Sequence, residues 1–270
     1  MDINSVWFAF GLTLFAGLAT GIGGALAYFT RQTNTKFLSV SLGFSAGVMI
    51  YVSFVEIFFK AKDSLAAEIG ETQATWATAT AFFGGMLIIG IIDRFIPSFE
   101  NPHELHGIED MHNDRSPSGD NSLYRMGIFT ALAIAIHNFP EGLATFVATL
   151  SDPSLGISIA IAIAIHNVPE GIAVSVPVYF ATGNRNKAFF YSFISGLAEP
   201  VGAAIGYFLF IRYFSDFVFG ITFAMVAGIM VFISLDELLP AAHKYGEHHL
   251  AIYGVICGMM VMALSLLLFI

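Results

Sequence analysis

Charge is scarce in this chain: only 11% of its 270 residues are Asp, Glu, Lys or Arg, under half the share usual in a soluble domain. Basic residues are the scarcer kind, 11 against 20 acidic for a formal net charge of −9, which argues against a nucleic-acid partner and suits cations. Cysteine occurs once, as Cys257, so neither a disulfide framework nor a thiolate metal cluster can be assembled from this chain. A phosphate-binding loop of the form G-x-x-x-x-G-K-[ST] is missing, and with it any means of using ATP directly. What is abundant is apolar: 56% of residues are hydrophobic and the mean hydropathy is +0.76. Water is not the main solvent of such a chain.

The apolar residues fall into runs of about twenty, the length a helix needs to cross the ~30 Å hydrocarbon core of a bilayer. Eight spans are predicted, over 4–29, 37–59, 76–96, 126–150, 155–180, 188–212, 217–239 and 250–270. The first has no basic leader and no cleavage site after Gly21, Gly23 and Gly24, so it is expected to be a retained helix. An even number of spans puts both termini on one side. With the termini outside, the inner connections hold Arg31, Lys36, Arg94, Arg115, Arg125, Arg185, Lys187 and Lys244, against Lys60, Lys62 and Arg212 outside. Basic residues are retained in the cytoplasm, so this count predicts outward termini in an inner, multi-pass membrane protein. The chain reads as one transmembrane domain over 1–270. Its one long connection, 97–125, is polar, acidic and Pro-containing, carries His103, His106 and His112, and is expected to be a flexible cytoplasmic loop.

One hexapeptide occurs twice with a single change, His137-Asn138-Phe139-Pro140-Glu141-Gly142 in the fourth span and His166-Asn167-Val168-Pro169-Glu170-Gly171 in the fifth. The only polar break between them is Ser151-Asp152-Pro153-Ser154. The chain therefore runs about 14 residues from one motif to the turn and about 14 back, roughly 20 Å each way at helical rise, which sets the two copies opposite each other near the bilayer centre. Within each copy the Glu lies at about 40° and the Asn at about 100° from the His around the helix axis. Glutamate thus sits between histidine and asparagine, placed to serve one ion on each side. Each proline removes the N–H that would pair four residues back, freeing the carbonyls of Ile136 and Ile165. The next span adds Glu199, followed by Pro200.

Polar glue between helices is the bland reading of such residues. A carboxylate at the bilayer centre, however, is disfavoured by ~2.5–3.5 kcal/mol even on lenient insertion scales. Three of them need compensation, and the sequence places no Lys or Arg at that depth, so a bound cation or bound protons must supply it. Imidazole, carboxylate and amide oxygen without sulfur suit Zn²⁺, Fe²⁺, Mn²⁺ or Co²⁺ better than Cu(I) or the all-oxygen preferences of Ca²⁺ and Mg²⁺. Glu56 near the outer end of the second span and Asp236-Glu237 near the inner end of the seventh either line an entrance and an exit or are simply solvated at the interface. No role follows from sequence for them or for the loop histidines.

The paired HN-x-PEG motifs, the eight spans with a long His-containing connection after the third, and Glu199 in the sixth resemble the ZIP family of metal transporters, in particular its bacterial members. The resemblance covers essentially the whole chain. It implies an all-α polytopic bundle of eight helices in a three-plus-two-plus-three arrangement, outward termini, and uptake of divalent metal ions toward the cytoplasm through a binuclear centre. Carried over residue by residue, it assigns Glu141, His166 and Glu170, with His137 available, to one ion, and Asn138, Glu141, Asn167, Glu170 and Glu199 to the other. The expected cargo is zinc, with breadth to iron, manganese, cobalt and cadmium. These ions are substrates, and no organic cofactor is expected. The expected partners are the ions and the lipid bilayer, with a homodimer as candidate assembly and no nucleic acid. The competing class is an intramembrane di-metal enzyme, since bundles can hold two metals with Glu and His ligands. Against it stand the asparagines at ligand positions and the prolines beside them.

Overall fold

The structure, a computed structural model, describes residues 3–29, 35–95, 121–182, 184–210, 215–245 and 248–268, and every regular element among them is a helix. In chain order these are α1 (Ile3–Phe29), α2 (Thr35–Val52), a π-helical turn (Ser53–Ile57), α3 (Phe58–Ile69) and α4 (Glu71–Phe95). Then come α5 (Asn121–Ser151), α6 (Pro153–Thr182), α7 (Arg185–Gly196) and α8 (Ala198–Phe210). A second π-helical turn (Ser234–Leu238) separates α9 (Asp216–Ile233) from α10 (Leu239–Tyr245), and α11 (His248–Leu267) follows.

Among the described residues, seven helical stretches are long and apolar enough to cross a membrane: Ile3–Leu26, Ser39–Ile69, Glu71–Arg94, Pro153–Ile172, Arg185–Phe208, Asp216–Leu238 and His249–Leu267. The remaining predicted span, 126–150, lies within the 31 residues of α5, ample for a crossing at 1.5 Å per residue. The molecule is the all-helical polytopic bundle that its hydropathy indicates. The connection expected over 97–125 falls mostly outside the described residues, and His103, His106 and His112 with it. Residues 121–125 are helical, as the first turn of α5.

Two spans differ from their expected outlines, each for a local reason. The second does not stop at residue 59 but continues to Ile69, where Gly70, at φ 83°, turns the chain directly into α4. The polar letters of α3 hide an amphipathic helix: Ala61 and Leu65 are fully buried. A Cβ on Gly220 of α9 would stand 2.5 Å from Leu65 Cγ and 2.8 Å from the Ala61 carbonyl. Lys62 reaches back to Glu71 at 3.2 Å. The sixth span is broken at Leu197, between α7 and α8. Pro200 has no N–H for the Gly196 carbonyl, and its ring crowds that oxygen, so the first helix ends there.

The helices sort into two bundles: α1 with α5, α6, α7 and α8, and α2 with α3, α4, α9, α10 and α11. They meet chiefly where α2 lies on α6 and α9 on α5. Small residues set the close approaches inside each bundle. Gly47 of α2 lies against the Val255 carbonyl, as Gly228 of α9 lies against that of Phe82. Gly258 lies against the Phe44 carbonyl, as Gly85 lies against that of Met225. In the other bundle Gly23 meets Val168 as Gly202 meets Phe139, Gly171 meets Thr20 as Gly142 meets Glu199, and Gly17 and Gly196 meet each other reciprocally. Each contact thus occurs twice at constant residue offsets. An internal two-fold relation exchanges α1 with α7–α8, α2 with α9, α4 with α11 and α5 with α6. Exchanged spans have four spans or none between them, an even number, and so run oppositely, the inverted-repeat pattern of many carriers.

Candidate metal centre

The turn between α5 and α6 sets the register of the centre. Asp152 caps α6, its Oδ1 accepting from Ser154 N at 2.9 Å and Leu155 N at 3.4 Å, with Pro153 at the first helical position, where a missing N–H is harmless. Gly156 then packs directly against Thr149 across the turn. From there both helices run without interruption through Pro140 and Pro169, and the two motifs come face to face.

Glu141, His166 and Glu170 converge, each offering a ligand atom, with these atoms within 4.8 Å of one another, and all three side chains are buried. His166 Nε2 lies 3.2 Å from Glu141 Oε1. Two acidic oxygens and an imidazole nitrogen at this spacing match the reach of one tetrahedral or octahedral metal ion. His137 lies on the same turn of α5 as Asn138, but its side chain is outside the described part of the structure.

Asn138, Asn167 and Glu199 are also fully buried. Asn167 Nδ2 donates to the Ala16 carbonyl at 2.9 Å and closely to Glu199 Oε1. Asn138 Nδ2 donates to the Ser195 carbonyl at 3.2 Å. These carbonyls accept only, so they fix which way each amide points. The Oδ1 atoms of both asparagines are left buried with no hydrogen-bond partner among the described residues. An amide oxygen in that condition is disfavoured by about 1–3 kcal/mol unless something electropositive meets it. The sequence placed seven residues in the centre. The structure joins Glu141, His166 and Glu170 directly and links Asn167 to Glu199.

Two features escaped the reading of the sequence. Ser45 of α2 donates from Oγ to Glu170 Oε1 at 3.1 Å, a hydrogen bond that reaches this cluster from the second bundle. A buried membrane serine carries no signal that would single it out. The internal repeat did leave one: Ala46-Gly47-Val48-Met49 with Ser53 and Glu56 recurs as Ala227-Gly228-Ile229-Met230 with Ser234 and Glu237, each copy ending in a π-helical turn. Such turns recur at functional sites. Glu56 and Glu237 are both half-buried in them.

Buried carboxylates, an imidazole and two open amide oxygens, gathered inside a membrane-crossing bundle with inverted repeats, define a transporter of divalent metal ions. The comparisons with known proteins agree and go one step further. The Zip family model, described as ZIP Zinc transporter, matches residues 98–266. The chain is 66% identical over 266 residues to a protein of Oceanobacillus iheyensis named zinc transporter ZupT, covering 98% of this chain and 99% of that one. A protein of Lysinibacillus sphaericus with the same name is 65% identical over 268 residues, covering 99% of each. One of Nitratidesulfovibrio vulgaris, also so named, is 62% identical over 275 residues, covering 100% of this chain and 99% of the other. This chain belongs to the ZIP zinc transporter family. The family is one of transporters, so the di-metal enzyme weighed against it on sequence falls away.

Proposed function

We propose that the protein takes up zinc, and with it iron, manganese, cobalt and cadmium, across the cell inner membrane into the cytoplasm through two adjacent ion positions that share Glu141 and Glu170. The first position is made by Glu141, His166 and Glu170, with His137 available to it. The second is made by Asn138, Glu141, Asn167, Glu170 and Glu199. The convergence of the Glu141, His166 and Glu170 ligand atoms within 4.8 Å, buried inside the helices, carries the reading. The open Oδ1 atoms of Asn138 and Asn167 support the second position. The name shared by the relatives supports zinc as cargo.

The chemistry is ligand exchange without covalent change. A divalent ion sheds water as carboxylate, imidazole and amide oxygens replace it, and any protons on those carboxylates leave as it binds. An ion entering a negative-inside cell gains ~4.6 kcal/mol per 100 mV, twice the single-charge value, so inward movement needs no other fuel. Both termini face outside, the 97–125 connection is cytoplasmic, the 1–270 chain works as one transmembrane domain in the lipid bilayer, and two chains associate as a homodimer.

The test is zinc accumulation in sealed vesicles holding only this protein, with an imposed inside-negative potential. Accumulation that rises with the potential and vanishes in Glu170→Ala is the expected result. Zinc binding with no accumulation at any potential would overturn the transport reading.

A further inference from the structure

The second ion position, on whose proposal above this inference rests, is closed on the α8 side by Glu199 and has no residue assigned opposite, on α1. The two-fold relation names the residue that stands there. Gly171 packs on the Thr20 carbonyl as Gly142 packs on that of Glu199, and Gly17 and Gly196 exchange places around the same axis. Asn167 donates to the Ala16 carbonyl as Asn138 donates to that of Ser195. Thr20 therefore holds on α1 the place that Glu199 holds on α8, and it faces Asn138 as Glu199 faces Asn167.

A second, independent observation points to a ligand at the same atom. Thr20 is fully buried, and its Oγ1 has no hydrogen-bond partner among the described residues. Other buried threonines turn the hydroxyl onto the carbonyl four residues back: Thr13 to Ala9 at 2.9 Å, Thr78 to Ala74 at 2.8 Å, Thr145 to Glu141 at 3.0 Å and Thr149 to Thr145 at 2.6 Å. Thr20 does not, and the carbonyl it would use, that of Ala16, already accepts from Asn167. The neighbour across the interface is Gly196, where an added Cβ would stand 3.1 Å from Thr20 Oγ1. The absence of a side chain there gives the buried hydroxyl no hydrogen-bonding group from that neighbour.

We propose that Thr20 is a further ligand of the second ion position, the neutral counterpart of Glu199, acting through one water of the ion's shell. The water follows from length. A threonine oxygen sits two carbon bonds short of a glutamate oxygen, a gap of about 2.5 Å that one bridging water fills. A hydroxyl and a retained water make this side of the position hard and weakly charged. That favours ions that keep part of their hydration, manganese and iron over zinc, and lets the ion leave.

Titration of the purified full-length protein with Zn²⁺ and with Mn²⁺ tests it, read as the affinities of the first and second equivalents. Thr20→Val and Thr20→Ala should each weaken the second equivalent of Mn²⁺ about tenfold, as loss of an outer-shell partner does, with the first unchanged. Thr20→Ser, which keeps the hydroxyl, should bind both equivalents as the natural protein does. Using two hydroxyl-free variants guards against one failing to fold. If both bind the second equivalent normally while Glu199→Ala has lost it, the Thr20 proposal is overturned and the two-position reading stands. If Glu199→Ala also keeps a normal second equivalent, the two-position reading fails and the role of Thr20 fails with it. Equal weakening of both equivalents in the valine and alanine variants would make Thr20 a packing residue and likewise overturn the proposal.

Discussion

Glu141 and Glu170 differ from the other polar residues of the centre because each borders both proposed ion positions. Glu170→Ala should therefore abolish uptake of every metal. Asn167→Ala and Glu199→Ala should leave a slower transporter whose preference has moved toward the histidine-bearing position, hence toward zinc over iron and manganese. Competition uptake in vesicles decides between these outcomes; identical metal ranking and residual rate in His166→Ala and Glu199→Ala would require a single mononuclear site instead. Ser45 calls for a different pattern, since it touches no ion in this scheme but holds Glu170 from the other bundle at 3.1 Å. Ser45→Ala should raise the KM for zinc several-fold with maximal rate little changed, the loss of one hydrogen bond of about 1 kcal/mol, and Ser45→Thr should restore it. The seven candidate residues were legible because charge and amide groups inside an apolar run stand out against their neighbours. Ser45 and Thr20 were not, since hydroxyls are common in membrane helices and only the fold distinguishes these two, Ser45 by its bond to Glu170 and Thr20 by a buried Oγ1 with no hydrogen-bond partner among the described residues.

Adjacent glycines show how much a helix depends on what it faces. On α4, a Cβ at Gly84 would meet nothing within 4 Å, whereas one at Gly85 would run into the backbone of Met225 on α9. Gly84→Ala should be neutral or slightly stabilising, given the ~1 kcal/mol helix preference of alanine over glycine. Gly85→Ala should destabilise by about 1–3 kcal/mol, the usual effect of overpacking. Thermal unfolding of the two variants in detergent provides the comparison, and equal midpoints would contradict the packing described here. Nothing in the sequence tells which of these two adjacent glycines faces a neighbouring helix. The sequence also ended the second span too early, because Lys60, Lys62 and Asp63 read as a connection, while the burial of Ala61 and Leu65 that makes α3 a helix comes from α9, far along the chain. The break before Glu199 was latent in Pro200. Hydropathy ran on through it, so one span was read where there are two helices.

For the molecule as a whole, the inverted relation and the basic-residue count bear on orientation. Cysteines placed at Asn4 and Ser118, with Cys257 removed, should label oppositely when an impermeant thiol reagent is applied to intact cells, Asn4 being reached and Ser118 protected. Labelling of Ser118 alone would reverse the topology. The long connection should be dispensable for the transport step itself, given its composition, which is too polar to join a packed bundle. Replacing His103, His106 and His112 by serine should leave the initial uptake rate at saturating zinc little changed, and near-complete loss at normal expression would put the loop on the ion's path.

Eight apolar runs, their helical state and the pairing of two HN-x-PEG motifs were readable along the chain, because each depends on local composition, helical period and the length of a single turn. The close facing of Glu141, His166 and Glu170 follows almost as directly, from two helices joined by a short connection. Other features required the folded molecule: the division into two bundles, the exchange of α2 with α9 and of α1 with α7–α8, and the convergence of Ser45, Thr20 and Asn138 on their neighbours. These join residues separated by most of the chain, and in a bilayer, where every span is apolar, hydropathy does not say which helix packs on which. That choice lies with glycine surfaces fitting particular carbonyls, a matter of shape that only the assembled structure contains.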